Sequence, residues 1–90
     1  MEYSYPIRHD WSTQEIIEVV SFFEMIEKAY ETKVERAEFM QAYRKFKGIV
    51  PSMAEEKTLF KEFEEASGLN SYHIVKLAKE ANDGDAISGQ

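Results

Sequence analysis

Cysteine is absent from this 90-residue chain, proline occurs twice, and glycine four times. Without cysteine there can be no disulfide, no thiolate metal ligand and no cysteine nucleophile. Long apolar runs are missing too, since no stretch approaches the ~20 residues of a membrane-spanning helix. The opening Met1-Glu2-Tyr3-Ser4-Tyr5-Pro6 lacks both the basic and the apolar region of a secretory signal, so the expected compartment is the cytoplasm, with no membrane partner. Cations are in deficit, with 11 Lys+Arg against 17 Asp+Glu and a net charge of −6. That balance opposes capture of nucleic acid or anionic lipid by the molecule as a whole. What the chain does have is 43% hydrophobic residues. By area scaling, folding a chain of this size removes roughly 64% of its surface from water, enough for one small domain without a covalent staple.

Reactive constellations are also scarce. No Gly-x-Gly-x-x-Gly, Walker-type or Gly-x-Ser-x-Gly sequence occurs. The two histidines, His9 and His73, are preceded three residues earlier by Pro6 and Asn70, so the Glu-x-x-His pattern of a carboxylate-bridged di-metal bundle is not available. Carboxylates are abundant at Glu15/Glu18, Glu24/Glu27/Glu31, Glu55/Glu56 and Glu62/Glu64/Glu65. They fall on polar helix faces or in first turns, where they favour the helix dipole rather than acid–base chemistry. The expectation is a non-enzymatic protein with no cofactor and with no catalytic, cofactor-binding or metal-ligating residue.

Helical signals fill most of the sequence. Ser12 and Glu15 form a capping box flanked by Trp11 and Ile16 in staple positions, and Ile16, Val19, Val20, Phe23, Ile26 and Tyr30 repeat at helical spacing, which predicts a helix over 13–31. A second is expected over 35–47, with Phe39, Met40, Tyr43 and Phe46 inward and Gly48 as its stop. A third, over 53–67, starts from a Ser52/Glu55 capping box, turns Leu59, Phe60, Phe63 and Ala66 inward and ends at Gly68. The fourth runs over 71–81 from an Asn70 cap and carries Ile74, Leu77, Ala78 and Ala81. No strand-like alternation stands out. The expected fold is all-α, a small four-helix bundle over residues 1–82 with an aromatic N-terminal arm, followed by a flexible tail over 83–90. Helices 1 and 3 are acidic while 2 and 4 are basic, so sequential neighbours meet with opposite sign.

Two features suggest surfaces for partners. On a helical wheel, Phe22, Met25 and Ala29 widen the apolar stripe of the first helix to roughly 220°, where about 100° suffices for a surface helix. A central position in the bundle explains this width, and so does an interface. Together with the aromatic arm, it nominates Tyr3, Tyr5, Trp11, Phe22 and Met25 for binding an unidentified protein partner or a second copy of the chain.

The alternative is nucleic-acid binding by the third and fourth helices. Aligned on Gly68, Phe63, Leu69, Ile74 and Leu77 satisfy a helix-turn-helix, but Glu64 and Ser67 do not, and the second helix offers only Lys76 and Lys79 as cations. Neutralising 6–10 phosphates needs a broader footprint, so nucleic acid is disfavoured. The cluster Tyr43-Arg44-Lys45-Phe46-Lys47 reads as core-facing aromatics with cations opposing the negative end of a helix dipole.

The runs Tyr5-Pro6-Ile7, Asp10-Trp11-Ser12-Thr13 and Phe22-Phe23, with Ile26-Glu27-Lys28-Ala29-Tyr30-Glu31, resemble a known family. So do Tyr43-Arg44, Phe46-Lys47, the block from Ile49 to Lys57, Ser67-Gly68 and Ala78-Lys79-Glu80-Ala81. Over residues 3–81 the chain is similar to the YktA-like family, small uncharacterised cytoplasmic proteins of Bacillus-type Firmicutes. The resemblance implies an all-helical single domain from a Gram-positive bacterium and carries no activity, cofactor or functional residue with it.

Overall fold

Ser12 initiates the first helix, α1 (Thr13–Glu31), through a complete capping box. Its hydroxyl accepts from the Glu15 N–H, and the Glu15 carboxylate accepts from the Ser12 N–H at 2.8 Å. A computed structural model of the chain describes residues 5–89 and arranges them as α1, β1 (Val34–Glu35), α2 (Arg36–Ile49), α3 (Met53–Ser67), α4 (Ser71–Glu80) and β2 (Ala86–Ile87). The fold is an all-α four-helix bundle carrying one two-stranded ladder.

The other helix boundaries follow from local chemistry. The α3 start is half of a capping box, in which Ser52 accepts from the Glu55 N–H at 3.3 Å; no return bond from the Glu55 side chain is seen. Asn70 caps α4 by accepting from the His73 N–H at 3.0 Å. Gly68 ends α3 in the left-handed region, φ 78°, where glycine alone is unstrained. Gly48, expected as the stop of α2, is instead helical, and the helix continues to Ile49. The stop comes from Pro51, which disfavours helical geometry at the preceding residue and leaves Val50 outside the helical region at φ −122°, ψ 72°. At its other end α2 begins one residue late, at Arg36, because Glu35 belongs to β1.

The core is dominated by aromatic rings. Phe22 is fully buried and among the described residues has five ring neighbours, with centroids 4.6 Å from Phe46, 5.3 Å from Phe23, 5.6 Å from Phe39, 5.8 Å from Tyr43 and 5.9 Å from Phe60. Rings from α1, α2 and α3 thus meet on one side chain, and each such pair contributes ~0.5–1.5 kcal/mol beyond area burial. Phe23 extends the cluster to Phe63 at 4.5 Å. The buried face of α1 is Val19, Phe22, Phe23, Ile26 and Ala29, so the wide stripe centres on Phe22 and leaves Ile16, Val20 and Tyr30 only half-buried. Ala66, expected inside, is exposed.

The segment after α4 departs most from expectation. Residues 83–90 read as a flexible tail, yet Ala86 and Ile87 pair antiparallel with Glu35 and Val34, and Ile87 is buried. The Arg36 N–H donates to the Asp85 carbonyl at 2.9 Å and the Gly89 N–H to the Ala29 carbonyl at 3.0 Å. Arg36 fastens the turn from the side, its Nε donating to the Ala78 carbonyl at 2.7 Å and its Nη1 meeting Asp83 at 2.6 Å. The first of these bonds adds a second donor to a last-turn carbonyl of α4 that otherwise accepts only the 3.3 Å bond from the Ala81 N–H. A Cβ placed on Gly89 would lie 2.6 Å from the Tyr30 ring, so the close approach requires glycine.

Candidate functional site

The expected interface residues are largely consumed by the fold. Phe22 is fully buried at the centre of the aromatic cluster and is out of reach of a partner. Met25 is half-buried against the core. Tyr5 donates its hydroxyl to Glu27 on α1 and stacks on Phe63 of α3, ring centroids 6.1 Å apart. Burial, reinforced by the Glu27 carboxylate, pushes the Tyr5 hydroxyl pKa up. Trp11 packs half-buried on the same core, and Arg8 extends the strapping with both guanidinium Nη atoms on the Glu62 carboxylate at 3.1 Å. Tyr3 lies outside the described residues. The arm from Tyr5 to Trp11 therefore lies across α1 and α3.

The exposed large apolar side chains are elsewhere. Among the described residues they are Met53 at 65% exposure, Tyr72 at 61%, Ile17 at 52% and Ile7 at 45%. The two most exposed, Met53 and Tyr72, line one groove of about 690 Å³ between α3 and the start of α4. Its placement follows from the local sequence. The Ser52 cap puts Met53 at the first position of α3, seven residues before Phe60 and so on the same edge of the helix, and the left-handed turn at Gly68 followed by the Asn70 cap sets Tyr72 off the Ile74/Val75/Ala78 stripe of α4. Phe60, 7% exposed, lies in the groove lining between them. Lys57 and Lys61, four residues apart and so on one face of α3, stand exposed on the same lining.

A buried ionic cluster closes the site toward α2. Glu56 is 3% exposed; its Oε1 accepts from Lys47 Nζ at 2.5 Å and its Oε2 from the Tyr43 hydroxyl at 3.2 Å. Burial first, then the Glu56 charge, pushes the Tyr43 pKa up to about 12. Lys79 Nζ sits 5.5 Å above the Tyr43 ring centroid, a cation–π contact. Lys47 also reaches the Met53 sulfur at 3.8 Å, joining the cluster to the groove. Both Glu56 oxygens are thus engaged inside the protein, and this arrangement fixes α3 against α2.

Other sequence features stay apart. His9 and His73 are exposed, on the arm and on α4. Among the described residues no group of three or more His, Asp or Glu is placed to hold a metal ion, and no helix is long and apolar enough to cross a membrane. Helices α3 and α4 do follow one another across the Gly68 turn, but Lys79 is drawn over Tyr43, which leaves Lys76 as the exposed cation of α4 without such a contact.

The fold and site define a small all-α protein with an open, mostly apolar groove at its α3–α4 corner. The chain belongs to UPF0223, an uncharacterised protein family, whose sequence model matches residues 2–87. It is 62% identical over 87 residues to a UPF0223 protein of Lysinibacillus sphaericus, covering 97% of this chain and 92% of the relative. A UPF0223 protein of Oceanobacillus iheyensis is 59% identical over 83 residues, covering 92% and 94%. YktA of Bacillus subtilis is 50% identical over 82 residues, covering 91% and 93%. The resemblance read from the sequence is therefore correct.

Proposed function

We propose that this protein is a non-enzymatic interaction module that binds a protein partner in the groove between α3 and α4. The observation that carries the reading is the convergence of Met53 and Tyr72, the two most exposed large apolar side chains among the described residues, on one concavity lined by Phe60. Open apolar grooves between helices accept side chains of a partner, and aromatic residues at their edges anchor such contacts. The N-terminal arm plays the opposite part, since Tyr5, Arg8 and Trp11 spend their contacts on α1, α3 and the core.

A photo-reactive residue placed at Met53, Tyr72 or Ile17 in the native bacterium tests this. The expected result is one and the same adduct from Met53 and Tyr72, absent from Ile17, with the Tyr72 adduct suppressed by Met53→Glu. Adducts that are equal at all three positions, or a Tyr72 adduct indifferent to Met53→Glu in a protein that still folds, would refute the reading. An adduct consisting of two copies of this chain would turn it into self-association.

A further inference from the structure

We infer that the occupant of the α3–α4 groove is an acidic amphipathic helix from a partner protein, an inference that rests on the groove reading above. The molecule is acidic overall, at −6, yet this apolar groove carries two exposed lysines, Lys57 and Lys61. They are one helical turn apart on α3, and neither meets a carboxylate among the described residues. The Glu56 carboxylate in the same lining is neutralised from within by Lys47 and Tyr43, which leaves Glu64, farther along α3, as the groove's one negative group not so engaged. The groove thus presents apolar surface at Met53, Phe60 and Tyr72 beside a cationic rim, on a molecule whose net charge otherwise repels acidic partners. A helix with apolar residues at i, i+3, i+4 and i+7 and carboxylates along one flank matches both features, with its apolar face on the groove and its carboxylates on Lys57 and Lys61. A basic helix would meet like charge at Lys57 and Lys61, with only Glu64 to offset it.

The test uses the full chain and three synthetic helices that share one leucine-rich apolar face and carry glutamate, glutamine or lysine on the polar flank. Binding is followed by amide chemical shifts in two-dimensional NMR. The glutamate helix is expected to bind about tenfold tighter than the glutamine helix, the scale of two exposed ion pairs, and its advantage should shrink as salt is added. Shifts should concentrate at Met53, Lys57, Phe60, Lys61 and Tyr72. Lys57→Glu combined with Lys61→Glu should invert the order so that the lysine helix wins; both positions are exposed, so the fold is expected to survive. Equal binding of the glutamate and glutamine helices at the groove would overturn the acidic assignment while leaving the groove reading intact. No groove binding by any helix would overturn this inference, and the cross-linking experiment would then decide separately whether the groove reading survives. Concentration-dependent shifts without peptide would assign the groove to a second copy, and shifts centred on Lys76 with a DNA duplex would assign the α3–α4 pair to nucleic acid; either outcome overturns the inference.

Discussion

The two aromatic regions of this protein are put to opposite uses. Around Phe22, rings from three helices close on one another until Phe22, Phe23, Phe39 and Phe46 are fully buried, whereas at the α3–α4 corner, where Phe60 forms the edge of that cluster, Met53 and Tyr72 remain more than half exposed. Similar side chains are sealed in one place and open in the other because of their position on the helix. Phe22 lies on the face of α1 that α2 and α3 cover, while Met53 and Tyr72 occupy first-turn positions, Met53 at the exposed start of α3 and Tyr72 to the side of the buried α4 stripe. Width of an apolar stripe therefore reports how many neighbours a helix has, and apolar residues in uncovered first turns report what is left for a partner.

That contrast can be broken at several points. The largest effect is expected for Phe22→Ala, which removes the hub of the cluster and should cost about 3–5 kcal/mol in urea unfolding, enough to leave a marginal domain largely unfolded. Next is Lys47→Met, which strands the buried Glu56 carboxylate. Removing one partner of a buried pair costs about 3–5 kcal/mol, and the lower end applies because Lys47 keeps part of its side chain in water. The same cluster predicts an alkaline transition. The Tyr43 pKa is raised in the folded state from 10 to about 12, so its contribution is complete below pH 10 and is lost as pH rises toward 12. Unfolding monitored across that window should show stability falling with pH, and Tyr43→Phe should make the fall shallower, at a cost near neutral pH of about 1 kcal/mol for the lost hydrogen bond.

A smaller effect, roughly 1 kcal/mol, is expected for Gly89→Val, whose side chain collides with Tyr30 at an end of the chain that can shift to relieve the clash. Amide hydrogen exchange should show faster exchange at Arg36 in this variant, because the Asp85 carbonyl it donates to is displaced. Smallest of all, Met53→Ala and Tyr72→Ala should change stability by no more than about 0.5 kcal/mol, as is usual for exposed positions, while abolishing partner capture. Substitutions that damage folding and substitutions that damage binding would then fall in separate regions.

Much of this fold was legible in the sequence because its helices are bounded by side-chain chemistry. The Ser12/Glu15 box, the Asn70 cap and the left-handed Gly68 mark their termini in the residues themselves. The end of α2 was less legible because two stop signals compete there; Gly48 fits a helix without strain, and the constraint from Pro51 acts two residues later. The β1–β2 ladder left no trace at all. Two-residue strands have no period to detect, and Val34 and Ile87 are distant in sequence, so the pairing depends on where α2 and α4 pack. The groove had a signal in the sequence, since Tyr72 falls outside the Ile74/Val75/Ala78 stripe and Met53 stands at the capped start of α3, seven residues before Phe60. The buried role of Glu56 could not be read from its place among acidic residues, because its partners Tyr43 and Lys47 come from another helix.

The most direct test of this division between a sealed core and an open corner is amide hydrogen exchange on the full chain, alone and bound to the partner captured through Tyr72. The account predicts new protection along Met53–Lys61 and at Asn70–Tyr72, with the arm from Tyr5 to Trp11 and the Phe22 region of α1 unchanged. Protection that appears instead on the arm and α1, with α3 and α4 unchanged, would contradict it.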